Sequence, residues 1–559
     1  MDWIEELKKI VKGKIKTDSR TLGKYSTDAS LFEIKPKVVF FPKDKKDIQR
    51  LVKFVGENKG RYKDLSITIC SGGSDMTGGP LSESIVVDVS QCMDRLIKVK
   101  KEKGGGGYAI VQPGMAYRDF EKQTLKKRLL MPSYPASREL CTVGGMVANN
   151  AGGEKTLKYG KTLDYVQEVK IILRDGNEYA VGSLTQKQLD KKIAKDDVEG
   201  DLYKKIDSLI RNNKKVIEDA RPNVSKNSAG YYLWNVWDGK KFNLAKLIVG
   251  SQGTLGIITE IRFRLIEPKR HSTLLIIFLK DISQLAEVVG RVLKHKPESF
   301  ESYDDQTMKV AMRFLPSLIK LMGAGGLISL AWQFRREFFM ALTGGLPKLI
   351  LEAEFTGDSE KEIYAKAYAA QADLEGMGFK TRVTKGDTKR ESDLEERKYW
   401  VVRRESFNLL RHHAQGRQTA PFIDDIVVRP EVLPEFWPEL QAILKKKEYK
   451  LLYTVAGHIG DGNFHIIPLM DLSDEKNRKI IPKLSKEIYS LVLKYGGSIT
   501  GEHNDGLIRG PFLKQMYGAK VYTLFKEVKK IFDPDNIFNP GKKVGGTLEY
   551  AMSHLKKTK

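Results

Sequence analysis

The segment that most strongly indicates the fold is Leu65-Ser66-Ile67-Thr68-Ile69-Cys70-Ser71-Gly72-Gly73-Ser74-Asp75-Met76-Thr77-Gly78-Gly79. Residues 65–70 predict a buried strand, and the glycine-rich stretch after them predicts a loop at its carboxyl end. Working outward, we predict strands over 38–41 and 84–89, with an amphipathic helix after Pro42. Strand, helix, strand, loop, strand is an α/β arrangement, and its loop lies where ligands commonly bind.

Two more glycine-rich segments follow this one, over residues 135–153 and 247–260. Between the first two segments we predict a strand over 108–111 and a helix over 114–130. Three such segments suggest that backbone approaches an extended ligand, because only glycine lets N–H groups come so close at unusual φ. None is a dinucleotide fingerprint between strand and helix, and none is a Walker loop. A dinucleotide would therefore occupy a different kind of site, and ordinary turns remain the alternative.

The length and charge of the chain narrow the class of protein. At 559 residues it is too long for one core, and about three domains or subdomains are expected. An excess of 96 basic over 71 acidic residues gives a net charge of +25. This charge fits nucleic acid, an anionic membrane surface, acidic small substrates or simply a solvated surface. Because no basic cluster with interleaved aromatics and no DNA-binding motif occurs, we expect no nucleic-acid partner.

Cysteine content and hydropathy suggest a cytoplasmic location. Three cysteines are too few for a disulfide framework or an iron–sulfur site. The acidic N-terminus lacks the apolar core of a signal peptide. The longest uncharged apolar run, Leu321–Phe334, has 14 residues, whereas a membrane span needs about 20. Basic residues flank this run, so we predict peripheral contact with an anionic membrane face or a partner; burial in a domain core is the alternative.

The residues that carry chemistry fall in two short segments. One is Ala456-Gly457-His458-Ile459-Gly460-Asp461-Gly462-Asn463-Phe464-His465, and the other is Gly501-Glu502-His503-Asn504-Asp505-Gly506. They contain three of the eight histidines. Two imidazoles and a carboxylate make a plausible set of three ligands for a divalent ion, which leaves His503 able to move a proton near pH 7. The alternative is that these are polar loop residues that cap strands.

In this order and with these flanks, the motifs resemble the FAD-linked oxidoreductases of the vanillyl-alcohol oxidase and p-cresol methylhydroxylase type. The chain is most similar to their D-2-hydroxyacid branch, which includes D-lactate and D-2-hydroxyglutarate dehydrogenases and the glycolate oxidase FAD subunit. The resemblance covers nearly the whole chain. It is carried by Tyr25–Asp28, Pro36–Pro42, Ser71–Gly79, Pro135–Gly153 with Tyr159-Gly160, Gly250–Thr259 with Gln252 where Glu is usual, and Phe532–Lys542.

The resemblance implies an α+β fold with a two-subdomain FAD-binding domain of the p-cresol methylhydroxylase type over 1–268. It further implies an α/β cap domain with an antiparallel sheet over 269–505 and a segment over 506–559 that returns to the FAD domain. Because no histidine precedes His271, a histidine tether is unavailable and we expect non-covalent FAD. The implied cofactor-binding residues are Ser71, Gly72, Gly73, Ser74, Met76, Thr77, Gly78, Pro135, Ser137, Thr142, Gly144, Gly145, Asn149, Ala151, Gly152, Gly153, Tyr159, Gly160, Gly253, Gly256, Ile257, Ile258 and Asn539.

The resemblance also implies a role for each candidate residue of the active site. His458, His465 and Glu502 would hold a divalent metal, with Zn²⁺ expected and Mn²⁺ or Fe²⁺ possible. His503 would be the base. A substrate carboxylate needs a cation, and Arg403 in a Trp-x-x-Arg segment is the candidate, with Arg509 as a second. Two departures leave the substrate open: Ile423-Asp424-Asp425-Ile426 replaces the family's usual lysine, and 504–509 replaces a run of small residues. The latter form resembles a sub-branch that is often fused to an iron–sulfur module.

The implied activity is FAD-dependent, metal-assisted oxidation of a D-2-hydroxyacid (D-lactate, D-2-hydroxyglutarate or a glycolate-like acid) to the 2-oxoacid. Hydride would pass to flavin N5. A quinone, an electron-transfer flavoprotein or a separate iron–sulfur subunit would then accept the electrons. The main alternative is a metal-independent FAD oxidase of an alcohol or phenol on the same fold. A basic nucleic-acid- or membrane-binding protein is a further alternative.

Overall fold

The computed structural model describes residues 3–305, 307–309, 347–385, 389–412 and 417–556. The apolar segment Leu321–Phe334 lies outside these residues, so its predicted contact with a membrane or partner stays a prediction. Among the described helices, none is both long enough and apolar enough to cross a membrane.

The N-terminal part forms a four-stranded sheet in the order β1-β2-β4-β3. Strands β2, β4 and β3 are parallel, and β1 is antiparallel to β2. The helix α3 begins at Lys45 because the side chain of Asp44 accepts a hydrogen bond from Asp47 N. The predicted order of strand, helix, strand, loop and strand is confirmed. The elements are α1 (Trp3–Ile10), β1 (Lys14–Lys16), α2 (Ser19–Lys24), β2 (Val38–Phe41), α3 (Lys45–Asn58), β3 (Ile67–Cys70) and β4 (Ile85–Asp88).

A second sheet has six antiparallel strands in the order β5-β6-β10-β7-β8-β9. The helix predicted over 114–130 is shorter than expected, because the chain turns at Gly114 and Arg128 takes a non-helical φ of +55°. The elements are β5 (Leu96–Lys101), β6 (Gly107–Val111), α4 (Tyr117–Leu125), α5 (Val143–Asn149), α6 (Thr156–Tyr159), β7 (Val166–Ile172), β8 (Glu178–Thr185), α7 (Gln186–Ile193), α8 (Val198–Asn212), α9 (Lys214–Asp219), β9 (Lys241–Asn243), α10 (Ala245–Ile248) and β10 (Ile257–Leu265).

The third sheet is antiparallel, as predicted for a cap, in the order β14-β11-β13-β12-β17-β18-β15, with β16 also paired to β18. Helix α12 packs on β11, β13 and β14. The elements are β11 (His271–Leu279), α11 (Leu285–Lys294), β12 (Ser299–Asp304), β13 (Leu349–Gly357), α12 (Glu360–Glu375), β14 (Lys380–Val383), α13 (Lys389–His412), β15 (Gln418–Thr419), β16 (Ile426–Val427), α14 (Leu433–Leu444), β17 (Tyr453–His458), β18 (Asn463–Met470) and α15 (Glu475–Lys494).

The C-terminal segment lies against the N-terminal sheets. Asn539 N donates to Ile67 O at 2.8 Å, and Asn539 Nδ2 donates to Gly79 O at 3.0 Å and to Gln252 O at 2.7 Å. One side chain thus joins the first and third glycine segments, although the domain limits themselves stay a prediction. The elements are α16 (Gly506–Arg509), α17 (Leu513–Phe532) and α18 (Leu548–Ser553).

Candidate active site

A cavity of about 340 Å³ lies where the three glycine segments face the cap sheet, a volume within the range of ligand pockets. Four residues with a predicted catalytic or metal-binding role line the cavity: Arg403, His465, Glu502 and His503. The predicted cofactor-binding residues on its wall are Ser71, Gly72, Gly73, Ser74, Met76, Pro135, Ser137, Thr142, Gly144, Gly145, Asn149, Ala151, Gly152, Gly253, Gly256 and Ile258.

The glycines of this wall form a cradle that side chains would fill. A Cβ at Gly73 or at Gly253 would meet no atom within 4 Å, and both residues have positive φ, +63° and +68°. At Gly72, by contrast, a Cβ would lie 2.4 Å from Leu140 O. Glycine there allows the first segment to approach the second. Open space beside bare backbone suits an extended, phosphate-bearing cofactor such as FAD.

We predict that Gly73→Val lowers the FAD content of the purified protein, because the new side chain would project into the cradle. The matched control is Gly104→Val, at a hairpin glycine that also has a positive φ (+98°) and open space around its Cβ. Both variants carry backbone strain of about 1–2 kcal/mol, so only the difference in flavin per protein is informative. Equal flavin content in the two variants would contradict a cofactor in this cradle.

Seven predicted cofactor-binding residues are not on the wall: Thr77, Gly78, Gly153, Tyr159, Gly160, Ile257 and Asn539. Some of them hold the wall in place. Thr77 O accepts a hydrogen bond from Leu507 N at 2.8 Å, and the hydroxyl of Tyr159 donates to Glu298 Oε2 in the cap at 3.0 Å. Their position favours an indirect role in cofactor binding.

The three predicted metal ligands converge. Strands β17 and β18 form a hairpin that brings the rings of His458 and His465 to a centroid distance of 5.2 Å. Glycine is required in its turn, because Gly462 has a φ of +64° and a Cβ there would lie 1.9 Å from Val428 O. Glu502 Oε1 lies 2.9 Å from His458 Nε2 and 3.5 Å from His465 Nε2. One possible ligand atom from each residue lies within 4.8 Å of the others, which fits a divalent ion.

Carboxylates hold the other nitrogen of each imidazole. His458 Nδ1 lies 2.7 Å from Glu301 Oε1, and His465 Nδ1 lies 3.0 Å from Asp424 Oδ1. The second oxygen of Asp424 lies 2.5 Å from His503 Nδ1. Such carboxylate partners are typical of metal-binding histidines, since they set the tautomer and the ring orientation.

Buried negative charge dominates the electrostatics of the site. Burial raises the pKa of Glu502, but the charges of His458 and Lys226 and the hydrogen bonds from His458 and His465 together outweigh it and hold the pKa well below its ordinary value. Burial lowers the pKa of His465, but the carboxylates of Asp424 and Glu502 together outweigh it and raise the pKa to about 10. The pKa of His503 is also raised against burial, mainly by Asp424. The site therefore attracts positive charge, as a proton or as a metal cation.

Two arginines from α13 reach the cavity wall. Arg403 Nη2 donates to Glu301 Oε2 at 3.0 Å. Arg404 binds Glu154 through two hydrogen bonds, from Nε at 3.0 Å and from Nη2 at 2.5 Å. Arg404 was not predicted, although it follows Arg403 directly in the sequence. Arg403 thus lies beside both the predicted metal site and the open cavity.

Arg509, the second predicted anion contact, is not brought to the cavity wall. It is wholly buried, with Nη2 donating to Asp424 O at 2.6 Å and Nη1 to Asn504 O at 3.1 Å. It therefore supports the backbone on both sides of the site and is not among the residues that line the cavity.

The sequence analysis also missed several residues of the site: Asp424, Asp425, Glu301 and Lys226. Asp425 Oδ2 accepts hydrogen bonds from the backbone N–H groups of Glu502 and His503 at 2.9 and 2.8 Å. Adjacent acids at 424 and 425 between apolar residues were the available signal, since two carboxylates are rarely buried without partners.

Comparison with known proteins agrees with this fold. Residues 36–182 match the family described as FAD binding domain, and residues 268–543 match FAD linked oxidases, C-terminal domain. The chain therefore carries both an FAD-binding domain and the C-terminal domain of FAD-linked oxidases. Its fold is also that of p-cresol methylhydroxylase with bound substrate, at a TM-score of 0.65 and 16% identity over 98% of this chain and 97% of that one.

Two relatives with named activities are similar to nearly the whole of this chain. The D-2-hydroxyglutarate dehydrogenase of Pseudomonas putida is 26% identical over 95% of this chain and 50% of its own length. The D-lactate dehydrogenase of Archaeoglobus fulgidus is 25% identical over 97% of this chain and 99% of its own length. The chain thus spans about half the length of four D-2-hydroxyglutarate dehydrogenases that it matches, but 98% of the length of the one from Stutzerimonas stutzeri, to which it is 24% identical.

Proposed function

We propose that this protein is an FAD-dependent, metal-assisted dehydrogenase of a 2-hydroxyacid. Its proposed substrate is D-lactate, D-2-hydroxyglutarate or a similar acid. The observation that carries the proposal is the shared cavity. His465, Glu502 and His503 line the same space as the glycine cradle, so a hydroxyacid at the imidazoles would lie beside a cofactor in that cradle. The names of the two relatives supply the substrate class.

Both implied groups fit the residues present. FAD, when bound in the cradle, supplies an acceptor for the hydride from the substrate's α-carbon. A divalent ion held by His458, His465 and Glu502, which we expect to be Zn²⁺ with Mn²⁺ or Fe²⁺ as alternatives, supplies positive charge beside the substrate's oxygens.

His503 is the proposed base. Its Nδ1 is occupied by Asp424, which leaves Nε2, 3.9 Å from Glu502 Oε1, as the atom that takes the proton of the substrate's 2-hydroxyl. Asp424 orients the ring and stabilises the imidazolium that forms. The ring of His503 stacks on that of His465 at a centroid distance of 4.9 Å, which further limits its rotation.

Arg403 is the proposed anchor of the substrate carboxylate. A guanidinium offers five N–H donors in a planar fork, so the bond to Glu301 is compatible with a second carboxylate. Arg403 lines the cavity together with His503. Anchoring there would hold the substrate with its α-carbon between the base and the flavin segments.

For the electrons we propose an external acceptor, namely a quinone, an electron-transfer flavoprotein or a separate iron–sulfur protein. The support is that this chain has three cysteines, whereas an iron–sulfur cluster needs about four. Peripheral attachment to the cytoplasmic face of a membrane would suit a quinone acceptor and the net charge of +25.

The proposal is tested by product analysis. Purified protein incubated with D-lactate or D-2-hydroxyglutarate and an artificial electron acceptor should form the corresponding 2-oxoacid in step with reduction of the acceptor. A phenol should give no product. Oxidation of the phenol by metal-depleted protein, without turnover of any 2-hydroxyacid, would instead support an alcohol or phenol oxidase.

We predict that acid or heat releases the flavin into the supernatant. No histidine precedes His271, so the glycine segments contain no imidazole for a covalent link. The measurement is the visible absorbance of the supernatant and of the washed precipitate. Flavin that stays with the precipitated polypeptide would contradict non-covalent binding and would direct attention to Cys70 and Cys141 on the cavity wall.

A further inference from the structure

One side chain from the FAD-binding part of the chain reaches the candidate metal site. Lys226 lies between α9 and β9, and its side chain is wholly buried. Its Nζ lies 3.1 Å from Glu502 Oε2 and 3.5 Å from Asp461 Oδ2. It also donates to Gly153 O at 3.3 Å. Lys226 therefore contacts a predicted metal ligand, the loop between the two ligand strands and the second glycine segment.

The two oxygens of the Glu502 carboxylate have different partners. Oε2 is bound by Lys226, whereas Oε1 lies 2.9 and 3.5 Å from the Nε2 atoms of His458 and His465. Rotation of the carboxylate would exchange the two oxygens and break the contact with Lys226. A Cβ at Gly152 would lie 2.9 Å from Oε2, so glycine at that position makes room for this arrangement.

The buried negative charge at the site is a second reason for a lysine beside Glu502. Four carboxylates that are at most 5% exposed lie at the site: three contact the two imidazoles and the fourth contacts Lys226, and they are Glu301, Asp424, Glu502 and Asp461. A buried carboxylate without a partner is strongly destabilising. Lys226 offsets the charge of two of them before any ion binds. The ligand set can then exist in the folded protein with Glu502 already oriented.

We propose that Lys226 is a positioning residue of the metal site: it holds Glu502 by Oε2 so that Oε1 faces the two histidines, and it ties that geometry to the FAD-binding part of the chain. This inference rests on the proposed function, because it takes His458, His465 and Glu502 to be metal ligands. Groups that orient metal ligands in this way typically change metal affinity by about 10–100-fold when they are removed.

The test is the Zn²⁺ affinity of FAD-loaded, metal-depleted protein, measured in competition with a fluorescent chelator. Lys226→Met should weaken Zn²⁺ binding about 10–100-fold while flavin content stays at the wild-type level. The matched control is Lys529→Met, which also removes a buried lysine but one that contacts Asp533 and the carbonyls of Thr254 and Phe538. Its Zn²⁺ affinity should be unchanged.

Wild-type Zn²⁺ affinity in Lys226→Met would overturn the inference and leave the proposed function intact. No Zn²⁺ binding by the wild-type protein would instead overturn the ligand assignment itself. If Lys226→Met yields no folded protein, Lys226→Gln is measured in its place. The amide keeps a donor without the charge, so the same weakening is expected, and wild-type affinity would again overturn the inference.

A double-mutant cycle in metal-free protein tests whether Lys226 and Glu502 interact when no metal ion is bound. Lys226→Met and Glu502→Gln should each lower the denaturant midpoint, because the first removes the cation beside Glu502 and Asp461 and the second removes one of the two carboxylates beside Lys226. The loss in the double variant should be smaller than the sum of the two single losses. Additive losses would show that the two side chains do not interact and would overturn the inference.

Discussion

Replacing His503 by alanine is expected to slow the reduction of bound flavin by a 2-hydroxyacid by about 10²–10⁴-fold, the usual contribution of a positioned general base. The ring lines the cavity and is oriented by Asp424, yet it is not one of the proposed ligands. Flavin and metal contents should therefore stay at wild-type levels. The measurement is the rate of anaerobic flavin reduction in a stopped-flow spectrometer, with both contents determined on the same sample.

The matched control for this variant is His295→Ala. His295 lies on the cap, where its Nε2 is 3.3 Å from Asp373 Oδ2, and it is outside the residues that line the cavity. Its flavin should be reduced at the wild-type rate. A His503→Ala protein that is reduced as fast as the wild type would assign the proton transfer to another group.

The second large effect is expected from His458→Ala. This variant should lose the bound metal and slow flavin reduction roughly 10²–10⁴-fold, because the charge of a bound ion is worth several kcal/mol in the transition state. His458 is not among the residues that line the cavity, so the variant removes no side chain from the cavity wall. The measurements are metal per protein by elemental analysis and the rate of anaerobic reduction.

Chelation of the wild-type protein serves as the comparison for His458→Ala. Both treatments should give the same slow rate, and added Zn²⁺ or Mn²⁺ should restore the chelated wild type but not the variant. Full activity after chelation and in His458→Ala would exclude a role for metal and would favour the metal-independent oxidase.

Local sequence signals predicted the first strands and helices, whereas the antiparallel cap sheet was expected only from the family resemblance. Strands such as Ile67–Cys70 and the helix Lys45–Asn58 follow from apolar spacing and from the N-cap at Asp44. The glycine cradle was also visible, because a backbone that must stay bare has to be glycine. The end of α4 at Leu125 was missed, because a positive φ at Arg128 has no signal in a non-glycine residue.

The site was predictable only where its residues are close in sequence. His458 and His465 belong to one hairpin, and Glu502 and His503 are neighbours, so the motifs themselves suggested a ligand set and a base. Lys226 is 276 positions from Glu502, and no local pattern connects them.

The side-chain chemistry of a residue was also a poor guide to its contacts in the folded protein. Arg509 has the right chemistry for an anion, but its guanidinium binds the backbone carbonyls of Asp424 and Asn504. Tyr159 lies in a segment that resembles a flavin-binding one, but its hydroxyl binds Glu298. Such roles depend on which surfaces meet after folding, and spacing along the chain does not encode that.

The most direct test of the central claim is anaerobic mixing of the purified, FAD- and metal-loaded protein with single substrates while the visible absorbance of the oxidised flavin is followed. The panel contains D-lactate, D-2-hydroxyglutarate and glycolate, with L-lactate and 4-ethylphenol as comparisons. We expect at least one of the three 2-hydroxyacids to bleach the flavin completely, and 4-ethylphenol to leave it oxidised. Flavin that stays oxidised with every 2-hydroxyacid, or that is bleached by 4-ethylphenol alone, would contradict the assignment as a 2-hydroxyacid dehydrogenase.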